Sequence, residues 1–429
     1  HAGPPKFRAA PHGLTLLSEE PATSVYTVMI DCGSSGSRLT VYNVSAGKLE
    51  TVNDGDDNEI KSFALSDYLE KPKEAGPMIG KMVQDSLDFV PPDMRASTPL
   101  YIFATAGLRL LESQEVQAVW DAVRLYLMVP KHNPYQFSPR NAKTMPGNME
   151  GVYQYITVQN LLHNKTIDPV SPAAVKRLGL LEMGGASLQV AFRPKGSIML
   201  DDFQLYMNDN MTDLFSTSYL GFGSDQARLR AQKVLARRSG NKSTVEDPCL
   251  FKGDNETSEI DGRNVTFVGS SEPTACQNLV KGLLHKHYEC LQKPCGIVGE
   301  YQPLPAGKFL GLASFFYTAT NLGLVGWKES KPVPPKDFLA SALAVCKLSK
   351  DELATTPPYD DTVKNNDWSL VKGLCFNSWL CTELLDAYGF ALDDLSVNYT
   401  RKLNNEDITW TRGAVLYQTL YMPPTLTVS

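Results

Sequence analysis

Residues 28–42, VMIDCGSSGSRLTVY, read as an apolar strand ending in an acid, a turn of Gly and Ser, and a second apolar strand. Residues 180–192, LLEMGGASLQVAF, repeat that order. Asp31 aligns with Glu182, Gly33 with Gly184, Ser34 with Gly185 and Ser35 with Ala186. Two copies of one β-turn-β device, 182 − 31 = 151 residues apart, indicate a duplicated domain. Two similar α/β domains are therefore expected to face each other across a cleft, each presenting a small-residue hairpin.

The rest of the chain fits that frame. Further strand-like runs are VYTVMI (25–30), LTVYNV (39–44), PLYIFA (99–104), LGLLEM (178–183) and LQVAF (188–192), with helix-like stretches at 111–128 and 149–163. Strands alternating with helices argue for an α/β fold with a largely parallel sheet. Residues 1–24 are Pro-rich and aperiodic and are expected to form a poorly ordered N-terminal segment.

A turn of Gly, Ser and Ala lets backbone N–H groups approach a phosphate, because no Cβ bulk intervenes. The acid before each turn is suited to a hard divalent cation, directly or through water. Neither turn is a P-loop, since no GxxxxGK[ST] occurs, and no GxGxxG opens a helix after a strand. A hydrolytic cleft also needs a base. Glu150, just after Pro146-Gly147 at the start of MEGVYQYITVQNLL, is the candidate; a plain helix-dipole role is its competitor. Thr105 and Arg109 follow the strand PLYIFA, at the carboxyl end where α/β ligand crevices form.

Composition bounds the compartment and the partners. The chain has 429 residues, and its formal charge of 41 − 47 = −6 gives no generic attraction to nucleic acid or to an anionic membrane. No apolar run reaches the roughly 18 residues of a membrane span, so no membrane contact is expected of the chain itself. Seven N-x-[ST] sequons, at Asn43, Asn164, Asn210, Asn241, Asn255, Asn264 and Asn398, point to glycosylation on the secretory route. Seven of the eight cysteines lie after residue 248, as expected of local staples in an oxidising compartment. No CxxC pair supports zinc.

With these residues placed, the sequence resembles the nucleoside triphosphate diphosphohydrolases, or apyrases. Their ordered motifs are matched by IDCGSSGSR (30–38), ATAGLRLL (104–111), MEGVYQYI (149–156), LLEMGGASLQVAF (180–192) and ITWTRGAVLYQT (408–419), with SYLGFGSDQAR (218–228) and SFFYT (314–318) as further segments. The resemblance implies two ribonuclease-H-like domains of the actin and sugar-kinase superfamily with an interdomain active-site cleft. It divides the chain into a first domain of 25–147 plus 401–429 and a second, disulfide-containing domain of 148–400. It implies Glu150 as the base for the attacking water, Ser187 and Gln189 as the residues that position that water, and Thr105 beside the cation. Gly33, Ser34, Ser35 and Gly36, with Gly184, Gly185 and Ala186, become the phosphate turns. Asp31 and Glu182 hold Ca or Mg through its water shell. Tyr317 is one wall of a nucleobase slot, and Trp410 is expected to be structural. The pairs Cys249–Cys276, Cys290–Cys295 and Cys346–Cys375 follow from the same resemblance and leave Cys32 and Cys381 free.

Four positions depart from the family pattern: Cys32, at a position that is often Ala, and Glu182, Ser224 and Leu374. Glu182 stands where most members have Asp, which bears on the metal. Ser224 and Leu374 stand where cell-surface members often have base-contacting Arg and Tyr. The base slot is accordingly expected either to be looser or to use another aromatic, such as Phe316, Tyr359 or Trp368. The abrupt ends at His1 and Ser429 are expected to reflect removed anchoring segments.

The expected activity is divalent-cation-dependent hydrolysis of terminal phosphates of nucleoside tri- and diphosphates, at the cell surface or in an organelle lumen. The competing readings are an exopolyphosphatase-like hydrolase, a non-hydrolytic nucleotide-binding module of actin or chaperone type, and an inactive receptor-like homologue.

Overall fold

Strand alternation decides which layer each residue of the two hairpins meets. In β1 (Val25–Cys32), Val28, Ile30 and Cys32 join one core, whereas Met29 faces another. In β7 (Leu178–Met183), Leu181 and Met183 point one way and Leu180 the other. Met29 and Leu180 belong to the same buried cluster. By period two, Asp31 lies on the face of Met29 and Glu182 on that of Leu180. The two acids thus face the layer that the two sheets share. Because both strands are covered on both sides, they read as nearly unbroken apolar runs.

The computed structural model describes residues 25–54, 59–165, 178–207, 210–240, 242–365 and 367–421. The expected N-terminal segment 1–24 and the sequon at Asn241 lie outside them, as does the side chain of Asn210. The first sheet contains β1, β2 (Ser37–Ser45), β3 (Lys48–Thr51), β4 (Ile60–Ser62), β5 (Leu100–Ala104) and β6 (Ala142–Thr144). Its order is β3-β2-β1-β5-β6, with β4 paired to β2. Strands β1, β5 and β6 run parallel and β2 antiparallel. Helices α1 (Pro72–Asp85) and α3 (Ser113–Leu127) cover its outer face through Ile79, Val83, Trp120 and Val123. The short α2 (Ala106–Arg109) follows β5 directly.

The second sheet repeats the plan. It contains β7, β8 (Ser187–Phe192), β9 (Asp202–Met207) and β10 (Asn210–Leu220), then β14 (Lys308–Ala313), β15 (Lys331–Pro332) and β16 (Val397–Tyr399). The order is β15-β16-β14-β7-β8-β10-β9. Here β7, β14 and β16 run parallel and β8 antiparallel to β7. Thus β7, β8, β10, β14 and β16 stand where β1, β2, β3, β5 and β6 stand in the first sheet, and β9 and β15 extend the edges. The expected α/β fold of two ribonuclease-H-like units is the one observed.

Helix α4 (Gly147–Leu162) fills the shared layer, and every residue from Glu150 to Leu161 is buried. It packs on β8, on β10 and on a late helix, α13 (Trp410–Leu416). Thr157 Oγ1 donates to Thr409 O across 2.6 Å and accepts the Gly413 N–H across 2.8 Å. The buried guanidinium of Arg412 donates to Leu49 O at 2.6 Å, Thr51 Oγ1 at 3.1 Å and Glu406 Oε2 at 2.8 Å. That charge is paired as well as hydrogen-bonded, the condition for a charge so deeply buried.

Between β10 and β14 lie α5 (Ser224–Arg238), a small sheet of β11 (Thr244–Asp247), β12 (Asn255–Ile260) and β13 (Arg263–Gly269), and α6 (Pro273–Leu284). Between β14 and β16 come α7 (Ser314–Asn321), α8 (Pro335–Val345), α9 (Lys350–Leu353), α10 (Tyr359–Asn365), α11 (Trp368–Val371) and α12 (Leu374–Ala387). The disulfides are Cys249–Cys276, Cys290–Cys295 and Cys346–Cys375, the pairs expected, and Cys32 and Cys381 are free and buried. Sequence separations of 27 and 29 residues make the two longer bridges worth about 3.5 kcal/mol each by chain entropy. Among the described residues no helix is long and apolar enough to cross a membrane.

Candidate active site

The two turns close in the same way. The Gly33 N–H donates to Gly36 O at 2.9 Å, and the Gly184 N–H to Ser187 O at 3.0 Å. Asp31 pairs with Arg38 across the first hairpin and Glu182 with Gln189 across the second. Gly36 and Ser187 are therefore equivalent positions, as are Arg38 and Gln189. The turns also meet. A Cβ on Gly185 would lie 3.4 Å from Ser34 Oγ, in contact with the first loop, and 2.6 Å from Asp225 Oδ2, which would have to move aside. The first turn of α5 backs the second loop, with the Ser224 N–H on Gly184 O at 2.9 Å and the Asp225 N–H on Gly185 O at 3.0 Å.

Glu150 lies in the first turn of α4, beside both hairpins. Arg109 Nη2 donates to its Oε2 at 2.8 Å and to Ser187 Oγ at 3.2 Å. Gln189 Nε2 lies 3.1 Å from the same Glu150 oxygen, 2.6 Å from Ser187 Oγ and 3.1 Å from Ser218 Oγ. Thr105, buried, follows β5, and its N–H donates to Cys32 O at 3.2 Å beside the Asp31 strand end. Thus Glu150, Ser187, Gln189, Thr105, Asp31 and Glu182 converge with both glycine turns.

Burial governs the electrostatics. A helix N-terminus favours a carboxylate by about 1 kcal/mol or less at an exposed site, yet Glu150 is pushed up to about 7 by desolvation, with the Arg109 charge opposing. Asp31 rises to about 7 through burial and then the charge of Glu150, against Arg38 and the Trp410 indole. Glu182 stands well above its ordinary range, from burial and then from Glu150 and Asp31. Three carboxylates repel one another, with part-buried Arg109 opposing the rise of Glu150 and Glu182, and Arg38 that of Asp31. Asp31 Oδ1 and Glu182 Oε2 are also buried without a hydrogen-bond donor. Hard oxygen ligands with unmet negative charge fit a divalent cation.

A cavity of about 580 Å³ opens beside the second turn, starting at Ser224 and Asp225 and reaching Tyr317, Trp327 and Leu374. Ser224 and Leu374, the departures that concern the base slot, both line it. Phe316 does not: it is fully buried, so the expectation that it forms a wall of the slot is corrected. Consecutive residues of α7 point in different directions, and Tyr317 takes the open side. Tyr359 and Trp368 are not wall residues either; Trp368 Nε1 donates to Asp254 Oδ2 at 2.9 Å. Trp410 stacks with Phe103 and Tyr153, each at 6.4 Å, and its indole lies beside Asp31 and holds that carboxyl down.

Sequence reasoning placed Arg109 at a crevice without a task, and it passed over Ser218, Asp225 and Trp327. The register of β10, with Ser218 opposite Gln189, supplies the missing signal for Ser218. Trp327 lies in a loop and carries no periodic signature.

The sequence profile of the GDA1/CD39 (nucleoside phosphatase) family matches residues 17–427. Similar proteins include ectonucleoside triphosphate diphosphohydrolase 8 of Gallus gallus, 28% identical over 94% of this chain and 84% of the relative. The Golgi apyrase of Schizosaccharomyces pombe is 28% identical over 91% of this chain and 74% of its own. Among solved structures, a nucleoside triphosphate hydrolase from Neospora caninum superposes with a TM-score of 0.64 at 16% identity, covering 93% of each chain. A Ppx/GppA protein of Aquifex aeolicus superposes at 0.50 and 12% identity, covering 92% of this chain and 98% of its own; at such identities the likeness is one of fold. Together with the convergence of the two hairpins, these kinships establish that the chain is a hydrolase of nucleoside phosphates and belongs to the GDA1/CD39 (nucleoside phosphatase) family.

Proposed function

We propose that the chain removes terminal phosphates from nucleoside tri- and diphosphates by direct attack of water, with Glu150 as the base. The new bond joins the water oxygen to the outermost phosphorus, the bridging P–O bond breaks, and the water proton passes to Glu150. Ser187 and Gln189 orient the water, and the turns 33–36 and 184–186 bind phosphate oxygens through their N–H groups. Asp31 and Glu182 would hold Ca or Mg through its water shell, with Thr105 alongside; when bound, the cation offsets the charge of the polyphosphate. The duplicated strand order supports a division into 25–147 with 401–429 and 148–400. Three disulfides, the sequons and relatives that include a Golgi apyrase support the secretory pathway.

The single observation carrying the reading is that Glu150 Oε2 lies 2.8 Å from Arg109 Nη2 and 3.1 Å from Gln189 Nε2, beside both turns. The aromatic cavity next to the second turn favours a nucleoside over a bare polyphosphate chain. Glu150→Gln tests the mechanism: kcat is expected to fall about a hundredfold or more while nucleotide binding persists. Near-normal turnover of the variant removes Glu150 from its role.

A further inference from the structure

The Gln189 side chain is wholly buried, and its amide nitrogen has two hydrogens for three neighbouring acceptors. Glu150 Oε2 and Ser218 Oγ each lie 3.1 Å away, and Ser187 Oγ 2.6 Å. Ser187 Oγ also accepts from Arg109 Nη2 at 3.2 Å. Of these groups only Ser218 has no part in the reaction described above. It stands on β10 directly opposite Gln189 on β8. The facing helix makes room for it. A Cβ on Gly147 would lie 2.5 Å from Ser218 Oγ and 2.6 Å from Ser218 Cβ, which the strand fixes in place. A Cβ on Gly151 would lie 2.7 Å from Ser216 Oγ. Gly147 and Gly151, four apart, share one face of α4, and Ser216 and Ser218, two apart, share one face of β10. Ser216 Oγ closes this seam by donating to Asn148 O at 2.7 Å. The close approach brings the first turn of α4, with Glu150, against the serine that touches Gln189.

We propose that Ser218 is a positioning residue for hydrolysis: it tethers the Gln189 amide, and through that amide it aims the attacking water. The inference rests on the hydrolase reading given above and deepens it. With one acceptor on Glu150 and another on Ser218, the amide is not drawn wholly onto Ser187, and the two water-orienting side chains keep separate aims. Without Ser218 the second amide hydrogen has Ser187 alone to turn to, and the amide shifts off its line. Ser218 acts through Gln189 and is assigned no contact with the nucleotide. Its removal therefore slows the chemical step and leaves nucleotide binding, which belongs to the turns and the cavity.

The test is steady-state phosphate release from ATP with Mg by the full chain, by Ser218→Ala, by Gln189→Ala and by the double variant. Loss of one positioning hydrogen bond predicts that Ser218→Ala lowers kcat about tenfold, with KM changed less than twofold. Added to Gln189→Ala, the same substitution is expected to cost less than a further twofold, because the group it acts through is gone. Ser218→Thr keeps the hydroxyl and is expected to keep most of the turnover. A serine that only packs strand against helix costs the same with or without Gln189. Unchanged kcat in Ser218→Ala, a loss that persists in full beside Gln189→Ala, or a Thr variant as slow as the Ala variant overturns the proposal and leaves the hydrolase reading standing. A parent chain that releases no phosphate refutes that reading, and the proposal falls with it.

Discussion

Arg109 Nη2 touches both Glu150 Oε2, at 2.8 Å, and Ser187 Oγ, at 3.2 Å. One guanidinium from the first sheet's crevice thus reaches a helix in the shared layer and a strand of the second sheet. Its charge also restrains the carboxylate that burial has raised to about 7.

Arg109→Met should therefore move the acid limb of the pH–rate profile. A base works when ionised, so activity falls as pH drops through its pKa. Without the opposing cation that pKa rises further, and the limb shifts up by about 1 pH unit. Measurement of kcat/KM between pH 5 and 9, with Arg109→Lys as the conservative control, checks this; an unmoved limb removes Arg109 from the electrostatics of the base.

Cation removal should destabilise the protein most in the alkaline range. Asp31 and Glu150, both near 7, and Glu182, well above its usual range, bind more protons folded than unfolded. Their contribution is complete below the unfolded values and is lost as pH rises through the folded ones. Melting in EDTA should accordingly fall from pH 5 to pH 8. A divalent cation at about 100 times its dissociation constant restores roughly 2.7 kcal/mol, more at pH 8 than at pH 5, where protons compete. Asp31→Asn should diminish that gain in a thermal-shift assay; a gain independent of pH and of Asp31 counts against the cation reading.

The small sheet predicts which sequons carry glycan. Asn255 and Asn264 are exposed on its outward face, where Thr257 and Thr266, the third residues of those sequons, lie 3.1 Å apart through their Oγ1 atoms. Glu256, between them, turns inward to the cavity that Tyr317 and Trp327 line. Asn43 instead lies in β2 with a buried Oδ1. Asn255→Gln and Asn264→Gln should each remove one glycan step by mass spectrometry of protein from a eukaryotic secretory host, and Asn43→Gln none.

What the sequence made legible was the repeated and the periodic. Asp31 and Glu182 could be aligned because strand, acid and glycine recur in fixed order, and Glu150 could be found because it opens a helix after Pro-Gly. Phe316 misled because two neighbouring aromatics are indistinguishable until a helix face is known. Trp327 and Ser218 were hidden for a related reason. Their meaning comes from a loop and a strand register that bring distant residues together, and neither leaves a local pattern.

The two hairpins have diverged at just the positions that matter. Where the second has Ser187 and Gln189, the first has Gly36 and Arg38. A repeated plan is thereby made unequal: only the second arm presents a hydroxyl and an amide beside Glu150, and the cavity adjoins that same arm, so on the proposed reading the two halves of the cleft are not interchangeable.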